Sequence, residues 1–317
     1  MIMRMNIVHG MVAALKAAAL IVSVLAAAAL AAPAALSSRG AAASGGALQV
    51  VAVENFWGSI AAQLGGERVH VTSVITNPAT DPHDYEPTAA DARTLAGAQL
   101  VIVNGIGYDP WAPKLLAANP VKGRVVLTVG DVVGVKPGGN PHRWYSPGNV
   151  QQVIAAIVAG YKRLDPKDAA YFDRQRAAFE TKALAAYKRE LAAIRRTYAG
   201  VPVGASESIF APLAQALGLK LLTPYSFLKA ISEGTEPTVQ DKATIDRQIA
   251  RKEIKVWVVN SQNSTPDVQR LTDEARKKGI PVTTITETLT PVTASFETWQ
   301  VAQLRALQAA LAKATGR

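Results

Sequence analysis

A stretch without glycine, proline or any strand signal runs from Lys167 to Tyr198 and divides the chain into two parts. Its apolar residues recur at helical spacing, and Gly200 and Pro202 follow directly after it, so the pattern predicts one continuous helix. At 1.5 Å per residue, such a helix would be about 48 Å long, which is longer than one small domain requires. We therefore expect two domains joined by one long, rigid helix.

Short β-branched runs alternate with helical segments on both sides of this stretch. Before it, strands are predicted at 48–53, 69–75, 99–104 and 124–128, and helices at 55–64, 88–96, 111–118 and 148–164. After it, strands are predicted at 202–205, 220–223, 254–260 and 282–286, and helices at 209–217, 239–251, 265–278 and 296–313. This alternation indicates βαβ units. The predicted fold class is α/β, with two doubly wound parallel-sheet lobes, one long rigid helix between them and a ligand cleft between the lobes. The predicted domains are a signal peptide and disordered start at 1–43, an N-terminal lobe at 47–166, a connecting helix at 167–199 and a C-terminal lobe at 200–317.

The first residues differ in composition from both lobes. Arg4 and Lys16 precede a run from 17 to 32 that is rich in Ala, Leu, Ile and Val, and small-residue cleavage candidates follow it. A basic flank, a short apolar core and an A-x-A site are typical of a secretory signal peptide. The run is also shorter than the ~20 residues that a membrane-spanning helix needs. We expect an exported, soluble mature protein with a periplasmic or extracytoplasmic location.

The composition excludes several classes of function. The chain contains no cysteine, which removes thiolate zinc sites, iron–sulfur clusters, disulfides, cysteine nucleophiles and a lipid-anchored cysteine. Its formal net charge is +10, but the basic residues are dispersed rather than clustered with aromatic residues, so we expect no nucleic-acid binding. Any transition-metal site must therefore use His, Asp and Glu, and the chain has four histidines.

Two histidines and two glutamates follow the carboxyl ends of predicted strands. His83 and His142 each follow a proline in a polar loop of the first half, whereas Glu207 and Glu287 come directly after strands of the second half. In open parallel sheets, ligands bind outside the carboxyl ends of the strands. Two imidazoles and two carboxylates without a thiolate suit a divalent ion such as Zn²⁺, Mn²⁺ or Fe²⁺.

Each of these positions also has a structural interpretation that the sequence leaves open. Thr88 and Asp91 form a weak capping box, so the loop before them is equally consistent with helix capping. Glu207 can cap the first turn of the following helix, and Glu287 can be a solvated strand end. His70 lies within a predicted strand, and we expect it to be structural or surface-exposed.

Four motifs are more specific than their individual residues. They are D-P-H-D-Y-E-P-T at 81–88, Q-L-V-I-V-N-G-I-G-Y-D-P-W at 99–111, N-P-H-R-W at 140–144 and I-T-E-T-L at 285–289. Together they resemble the metal-binding receptors of bacterial ABC importers, the zinc/manganese solute-binding family, over essentially the whole mature chain. The resemblance implies a two-lobed extracytoplasmic receptor, not an enzyme, that captures a divalent metal and delivers it to the membrane permease of an ABC importer. It also implies that the metal ligands are His83, His142, Glu207 and Glu287, and we expect the mature protein to be a monomer.

Some positions depart from the family pattern. Glu287 stands where the family usually has Asp, and the extra methylene makes looser or bidentate coordination a possibility. Glu207 at the third position is similar to the manganese-type receptors rather than to the three-His zinc type, and the His-rich loop of many zinc receptors is absent before His142. These features favour Mn²⁺ or Fe²⁺, whereas the general affinity order favours Zn²⁺ over Mn²⁺ at a site of nitrogen and oxygen donors. The metal therefore stays open.

Two other classes of function remain as alternatives. The first is a secreted hydrolase: G-A-S-E-S at 204–208 is one residue short of the G-x-S-x-G elbow, and a metal-dependent hydrolase with an open coordination position is the other form of this alternative. The second is a two-lobed receptor for an organic ligand such as a metal chelate. Five aromatic residues are candidates to line a cleft for such a ligand: Trp57, Tyr108, Trp111, Trp144 and Tyr225.

Two physical expectations follow from the receptor interpretation. Metal binding requires neutral imidazoles, so with an unperturbed histidine pKa of about 6.5 we expect the affinity to fall below about pH 6. The long connecting helix should resist wide hinge opening, so we expect only small motions between the lobes.

Overall fold

The computed structural model describes residues 46–317, and the predicted signal peptide lies outside them. Within this range, eight strands form two four-stranded sheets. The strands are β1 (Leu48–Glu54), β2 (Val69–Ile75), β3 (Leu100–Val103), β4 (Val125–Thr128), β5 (Pro202–Ala205), β6 (Lys220–Leu221), β7 (Val256–Asn260) and β8 (Val282–Ile285). Both sheets are parallel, with the orders β2-β1-β3-β4 and β6-β5-β7-β8.

Twelve α-helices connect and cover the strands in the same part of the chain. They are α1 (Asn55–Gly65), α2 (Ala89–Ala96), α3 (Trp111–Ala118), α4 (Val129–Val133), α5 (Pro147–Leu164), α6 (Ala169–Ala178), α7 (Ala185–Tyr198), α8 (Ala211–Leu217), α9 (Tyr225–Ser232), α10 (Val239–Ala250), α11 (Pro266–Lys277) and α12 (Phe296–Thr315). The predicted α/β class with two parallel-sheet lobes is confirmed. The two helices that the sequence analysis did not predict, α4 and α9, are both short.

Local sequence explains why these elements form where they do. The central strands β3 (L-V-I-V) and β7 (V-W-V-V-N) are buried at every residue, as expected for parallel strands covered on both faces. Capping boxes at Thr88 and Ser295 satisfy backbone amides at the starts of α2 and α12. Strand and helix starts are therefore specified by short patterns that are readable in the sequence.

The connecting segment consists of two helices rather than one. A π-type turn, Phe179–Ala183, separates α6 from α7, and the Leu184 amide donates a hydrogen bond to the Phe179 carbonyl at 2.9 Å. Phe179 and Leu184 are both buried, so the wider turn coincides with two side chains packed in the core. The expected continuous helix is thus interrupted near its middle.

The described residues, 46–317, belong to one compact unit, so the domain boundaries given above stay predictions. We call the part of the chain with the first sheet the N-terminal lobe and the part with the second sheet the C-terminal lobe. Aromatic side chains fill the space between them. Phe56 of α1 stacks on Trp144 with ring centroids 4.0 Å apart, and it lies 6.5 Å from Trp299 of α12. One hydrophobic cluster therefore extends through both lobes.

Loops at the carboxyl ends of the strands meet between the lobes. Asn140, which follows β4, donates a hydrogen bond from Nδ2 to the Ser208 carbonyl at 2.7 Å. Gln262, which follows β7, donates from Nε2 to the Pro78 carbonyl. The chain thus brings the two strand-end regions together, and it is there that the predicted site residues lie.

Candidate metal centre

The four side chains predicted as metal ligands come together between the lobes. His83, His142, Glu207 and Glu287 each offer one nitrogen or oxygen, and these four atoms lie within 4.8 Å of one another. His142 Nε2 lies 3.5 Å from Oε1 of each glutamate. In a tetrahedral site with metal–ligand bonds of about 2.1 Å, neighbouring ligand atoms are about 3.4 Å apart. The separations around His142 match the edge of such a tetrahedron.

A capped loop after β2 holds His83. One turn of 3₁₀-helix, Pro82–Asp84, is capped by Asp81, whose carboxylate accepts a hydrogen bond from the His83 amide at 3.0 Å. Thr88 and Asp91 then form the capping box of α2. The capping interpretation of this segment is therefore correct, and it is compatible with a ligand role because the caps fix the loop that presents His83.

Asn140 orients the ring of His142. Its Oδ1 lies 3.0 Å from the His142 amide nitrogen and 2.9 Å from His142 Nδ1. Because Oδ1 can only accept, the ring proton lies on Nδ1, and the lone pair of Nε2 faces the two glutamates. The same asparagine also donates to the Ser208 carbonyl, so one side chain orients the His142 ring and links the lobes.

Two residues that the sequence analysis did not assign to the site hold the glutamates. Asn260, the last residue of β7, donates from Nδ2 to Glu207 Oε2 at 2.5 Å and to Glu287 Oε1 at 2.7 Å. Tyr108, considered only as an aromatic lining residue, donates from its hydroxyl to Glu287 Oε2 at 2.8 Å. The signal for Asn260 was present in the sequence, because it is a polar residue at the carboxyl end of a buried strand.

The structural interpretations of the two glutamates are wrong. Glu207 is fully buried and makes no side-chain capping hydrogen bond. Glu287 is only 1% exposed, so it is not a solvated strand end. His70, in contrast, is exposed on β2, as expected for a surface residue.

Burial determines which groups of the site carry protons. Desolvation lowers the pKa of His83 and lowers the pKa of His142 to about 4, so both imidazoles are neutral at pH 7. Desolvation, together with the charge of Glu287, raises the pKa of Glu207 to about 8. Desolvation also raises the pKa of Glu287 to about 7, although His83 and the Tyr108 hydroxyl oppose this effect. The carboxyl groups, rather than the imidazoles, are therefore the groups expected to hold protons near pH 7, and burial moves the expected pH dependence from the two histidines to the two glutamates.

Three buried atoms of the cluster have no hydrogen-bond partner among residues 46–317. They are His83 Nε2, His142 Nε2 and Glu207 Oε1. Buried polar atoms are normally paired, and each unpaired one costs about 1–3 kcal/mol. Two imidazole nitrogens and carboxylate oxygens so close together are the donor set that binds divalent transition metals.

A second buried carboxyl pair supports the turn that carries Tyr108. Asp109 accepts hydrogen bonds from the Asn104 and Gly105 amides at 2.7 and 2.8 Å. Burial, and then the charge of Asp109, raises the pKa of the neighbouring Glu54 well above its usual range. The turn is strained, since Ile106 has φ of +62°, a left-handed conformation that β-branched residues rarely adopt.

The surroundings of the cluster bear on the two alternative functions. Ser206, the serine of the elbow-like motif, is fully buried, and its Oγ accepts a hydrogen bond from the Asn260 amide at 3.0 Å, so no exposed nucleophile is presented. Among the five candidate aromatic residues, only Tyr225 is exposed to a large extent. The cavity that adjoins His83 is about 130 Å³, which is below the ~300 Å³ of the smallest pockets for drug-sized ligands.

Fold and site together define a two-lobed α/β protein with a candidate metal centre of two histidines and two glutamates between its lobes. The sequence model for ZnuA, the periplasmic component A of the zinc-uptake complex, matches residues 50–310, and the chain belongs to this family.

Individual relatives are more distant. A putative metal-binding protein of Treponema pallidum is 26% identical over 173 residues, which are 48% of this chain and 54% of that protein, so the chain spans about half of its length. The metal ABC transporter substrate-binding lipoprotein FimA of Streptococcus parasanguinis is 25% identical over 259 residues, 75% of this chain and 79% of that protein. The Cd-bound periplasmic metal-binding protein from Candidatus Liberibacter asiaticus has the same fold, with a TM-score of 0.68, 21% identity and coverage of 83% of this chain and 98% of that one.

Proposed function

We propose that this protein is an extracytoplasmic solute-binding receptor that captures a divalent transition metal between its lobes and delivers it to the permease of an ABC importer. The observation that carries the proposal is a group of three buried donor atoms that lack a hydrogen-bond partner among residues 46–317 and that lie in one cluster with Glu287. A bound dication would give each of these atoms a partner. Family membership and the relative named as a metal ABC transporter substrate-binding lipoprotein support the transport role.

The metal is cargo in this proposal, and Zn²⁺ and Mn²⁺ are the two main candidates, with Fe²⁺ as a third. The ligands are His83 and His142 from the N-terminal lobe, and Glu207 and Glu287 from the C-terminal lobe. Two neutral imidazoles and two carboxylates give the loaded site no net charge, which suits a buried position. Four protein donors would leave a tetrahedral ion without an open position for a catalytic water, and the fully buried Ser206 presents no serine nucleophile, so we favour a receptor over an enzyme.

Because its ligands come from both lobes, the bound metal would link the two lobes. In the absence of metal, the raised pKa values of Glu207 and Glu287 allow both carboxyl groups to hold protons and relieve their mutual repulsion. Metal binding replaces these protons and fixes the strand-end loops of both lobes. A permease can distinguish the loaded from the metal-free protein by this difference in loop order, without a large hinge motion.

Location and partners belong to the same proposal. A receptor of this kind would be exported through the predicted signal peptide and would meet the permease at the outer surface of the membrane as a monomer. Within residues 46–317, no helix is both long and apolar enough to cross a bilayer.

Metal content and thermal stability test the proposal. Protein purified without chelator should contain close to one equivalent of a transition metal by elemental analysis. A cation that binds only the folded state should stabilise it by about 2.7 kcal/mol at 100 times its Kd, which is visible in a thermal melt. Zn²⁺, Mn²⁺ and Fe²⁺ should be compared with Mg²⁺, which prefers oxygen ligands.

Single substitutions test which residues are the metal ligands. His83→Ala and Glu207→Gln should abolish most of the metal-induced shift, whereas His70→Ala, on the exposed face of β2, should retain it and serves as the matched control. A wild-type protein whose melting temperature does not respond to any transition metal would refute the proposed function. Loss of the shift in the control variant alone would refute the assignment of the site.

A further inference from the structure

The hydrogen bonds to Glu207 and Glu287 support a further inference, which rests on the proposed function and concerns the metal selectivity of the site. We propose that Asn260 is a positioning residue that, together with Tyr108, keeps Glu207 and Glu287 monodentate. Each carboxylate then offers one oxygen to the metal, and the site selects an ion that accepts four-fold coordination.

The four carboxylate oxygens have different roles. Glu207 Oε2 accepts from Asn260 at 2.5 Å, whereas its Oε1 has no partner among the described residues and lies 3.5 Å from His142 Nε2. Glu287 Oε2 accepts from the Tyr108 hydroxyl at 2.8 Å, and its Oε1 lies 3.5 Å from the same His142 nitrogen. In both glutamates, Oε2 is therefore held by a donor and Oε1 faces the imidazole.

Neither donor is free to turn away. Asn260 is fully buried, and its Oδ1 accepts from the Gln262 amide at 3.0 Å, so its NH₂ group faces the carboxylates. That NH₂ group also donates to Glu287 Oε1 at 2.7 Å, which ties the two glutamates to each other. Tyr108 is fully buried as well, in the turn that Asp109 fixes.

These bonds limit the coordination number of the metal. Glu207 Oε2 and Glu287 Oε2 each accept from a buried donor, so turning either carboxylate until both of its oxygens reach the metal would distort a hydrogen bond to a charged group, and bonds of this kind are stronger than neutral ones. Glu287 Oε1 faces His142 Nε2 while it accepts from Asn260, so that bond does not turn it away from the metal. Two imidazole nitrogens and two single oxygens then give four donors, the tetrahedral set typical of Zn²⁺. Mn²⁺ typically occupies octahedral sites rich in oxygen ligands, so we expect this four-donor site to bind Mn²⁺ less favourably than Zn²⁺. The longer side chain of Glu287 therefore does not lead to bidentate coordination.

Two variants of the mature protein test this inference. Tyr108→Phe removes one hydroxyl and frees Glu287 Oε2 with little change of shape. Asn260→Ala frees Glu207 Oε2 and also removes the hydrogen bond to Glu287 Oε1. Tyr161→Phe is the matched control, because Tyr161 is also fully buried and donates one hydrogen bond, to the Ala61 carbonyl at 2.8 Å. Affinities for Zn²⁺ and Mn²⁺ are measured by competition with a chromophoric chelator, and Co²⁺ loaded in place of the cargo reports coordination number through the intensity of its visible bands.

The wild type and Tyr161→Phe should give the intense visible bands of tetrahedral Co²⁺. In Tyr108→Phe and Asn260→Ala, these bands should weaken as coordination increases. Zn²⁺ affinity should fall by about 10–100-fold, the usual effect of removing an outer-shell partner. Mn²⁺ affinity should fall less, because the released oxygen becomes an additional ligand, so the preference for Zn²⁺ over Mn²⁺ should decrease.

Two results would overturn the inference while the proposed function stands. One is a wild-type Co²⁺ spectrum of five- or six-coordinate type. The other is an unchanged Zn²⁺-to-Mn²⁺ affinity ratio in Tyr108→Phe, the variant with the smallest effect on folding. A wild-type protein that binds none of the three ions would instead refute the proposed function itself.

Discussion

Raising the pH from 6 to 8 should increase the apparent affinity of the protein for Zn²⁺ steeply. Burial raises the pKa of Glu207 to about 8 and that of Glu287 to about 7, so the metal-free site holds protons in this range. The imidazoles do not contribute, because burial lowers the pKa of His142 to about 4 and also lowers that of His83. A cation must therefore displace protons from carboxyl groups, and fewer protons compete with it as the pH rises.

The size of this increase in affinity follows from the two pKa values, which are treated as properties of the coupled pair of carboxyl groups. Between pH 6 and 7 the apparent affinity should rise by about 50-fold, and between pH 7 and 8 by a further ~10-fold. The number of protons released on binding should fall from about two at pH 6 to about 1.4 at pH 7 and about 0.6 at pH 8. An unperturbed glutamate pair would be ionised throughout this range and would release almost none.

Isothermal titration calorimetry in buffers of different ionisation enthalpy measures both the affinity and the proton release. His70→Ala, which lies outside the site, provides the internal comparison and should release the same number of protons as the wild type at each pH. An affinity that stays constant from pH 6 to 8 and declines only below pH 6 would refute this reasoning. It would instead indicate ordinary histidine titration.

Four further results are expected. Asn140→Ala removes the acceptor that orients His142, and metal affinity should fall by about 10–100-fold in the same titration. Gly204→Ala places a Cβ 2.8 Å from buried side-chain atoms and should lower the free energy of unfolding in urea by about 1–3 kcal/mol. Thr88→Ala removes the cap of α2 and should cost about 1 kcal/mol in the same assay. The melting temperature of the metal-free protein should fall from about pH 6.5 to pH 8. The cause is the raised pKa of Glu207, which lets the folded state hold a proton that the unfolded chain has already released. A melting temperature that rises over this range would contradict the prediction.

Much of the fold could be predicted from local patterns. The limits of β2, α3 and β5 coincide with the sequence prediction, because β-branched runs and helical spacing report directly on strands and helices. The interruption between α6 and α7 could not be predicted in this way. Helical spacing continues through 179–184, and the π-type turn there accompanies the burial of Phe179 and Leu184 in a core contributed by other elements.

The sequence by itself determined the α/β class and the four candidate ligands, because strand ends, proline-flanked histidines and family motifs are all local features. Only the tertiary structure decided that the four donor atoms lie within 4.8 Å of one another, and that Asn260 and Tyr108 hold the carboxylates. It also showed the burial that lowers the pKa values of His83 and His142 and raises those of Glu207 and Glu287, whereas the sequence alone left both histidines at their unperturbed pKa. Desolvation depends on what packs around a group, and those neighbours come from distant parts of the chain.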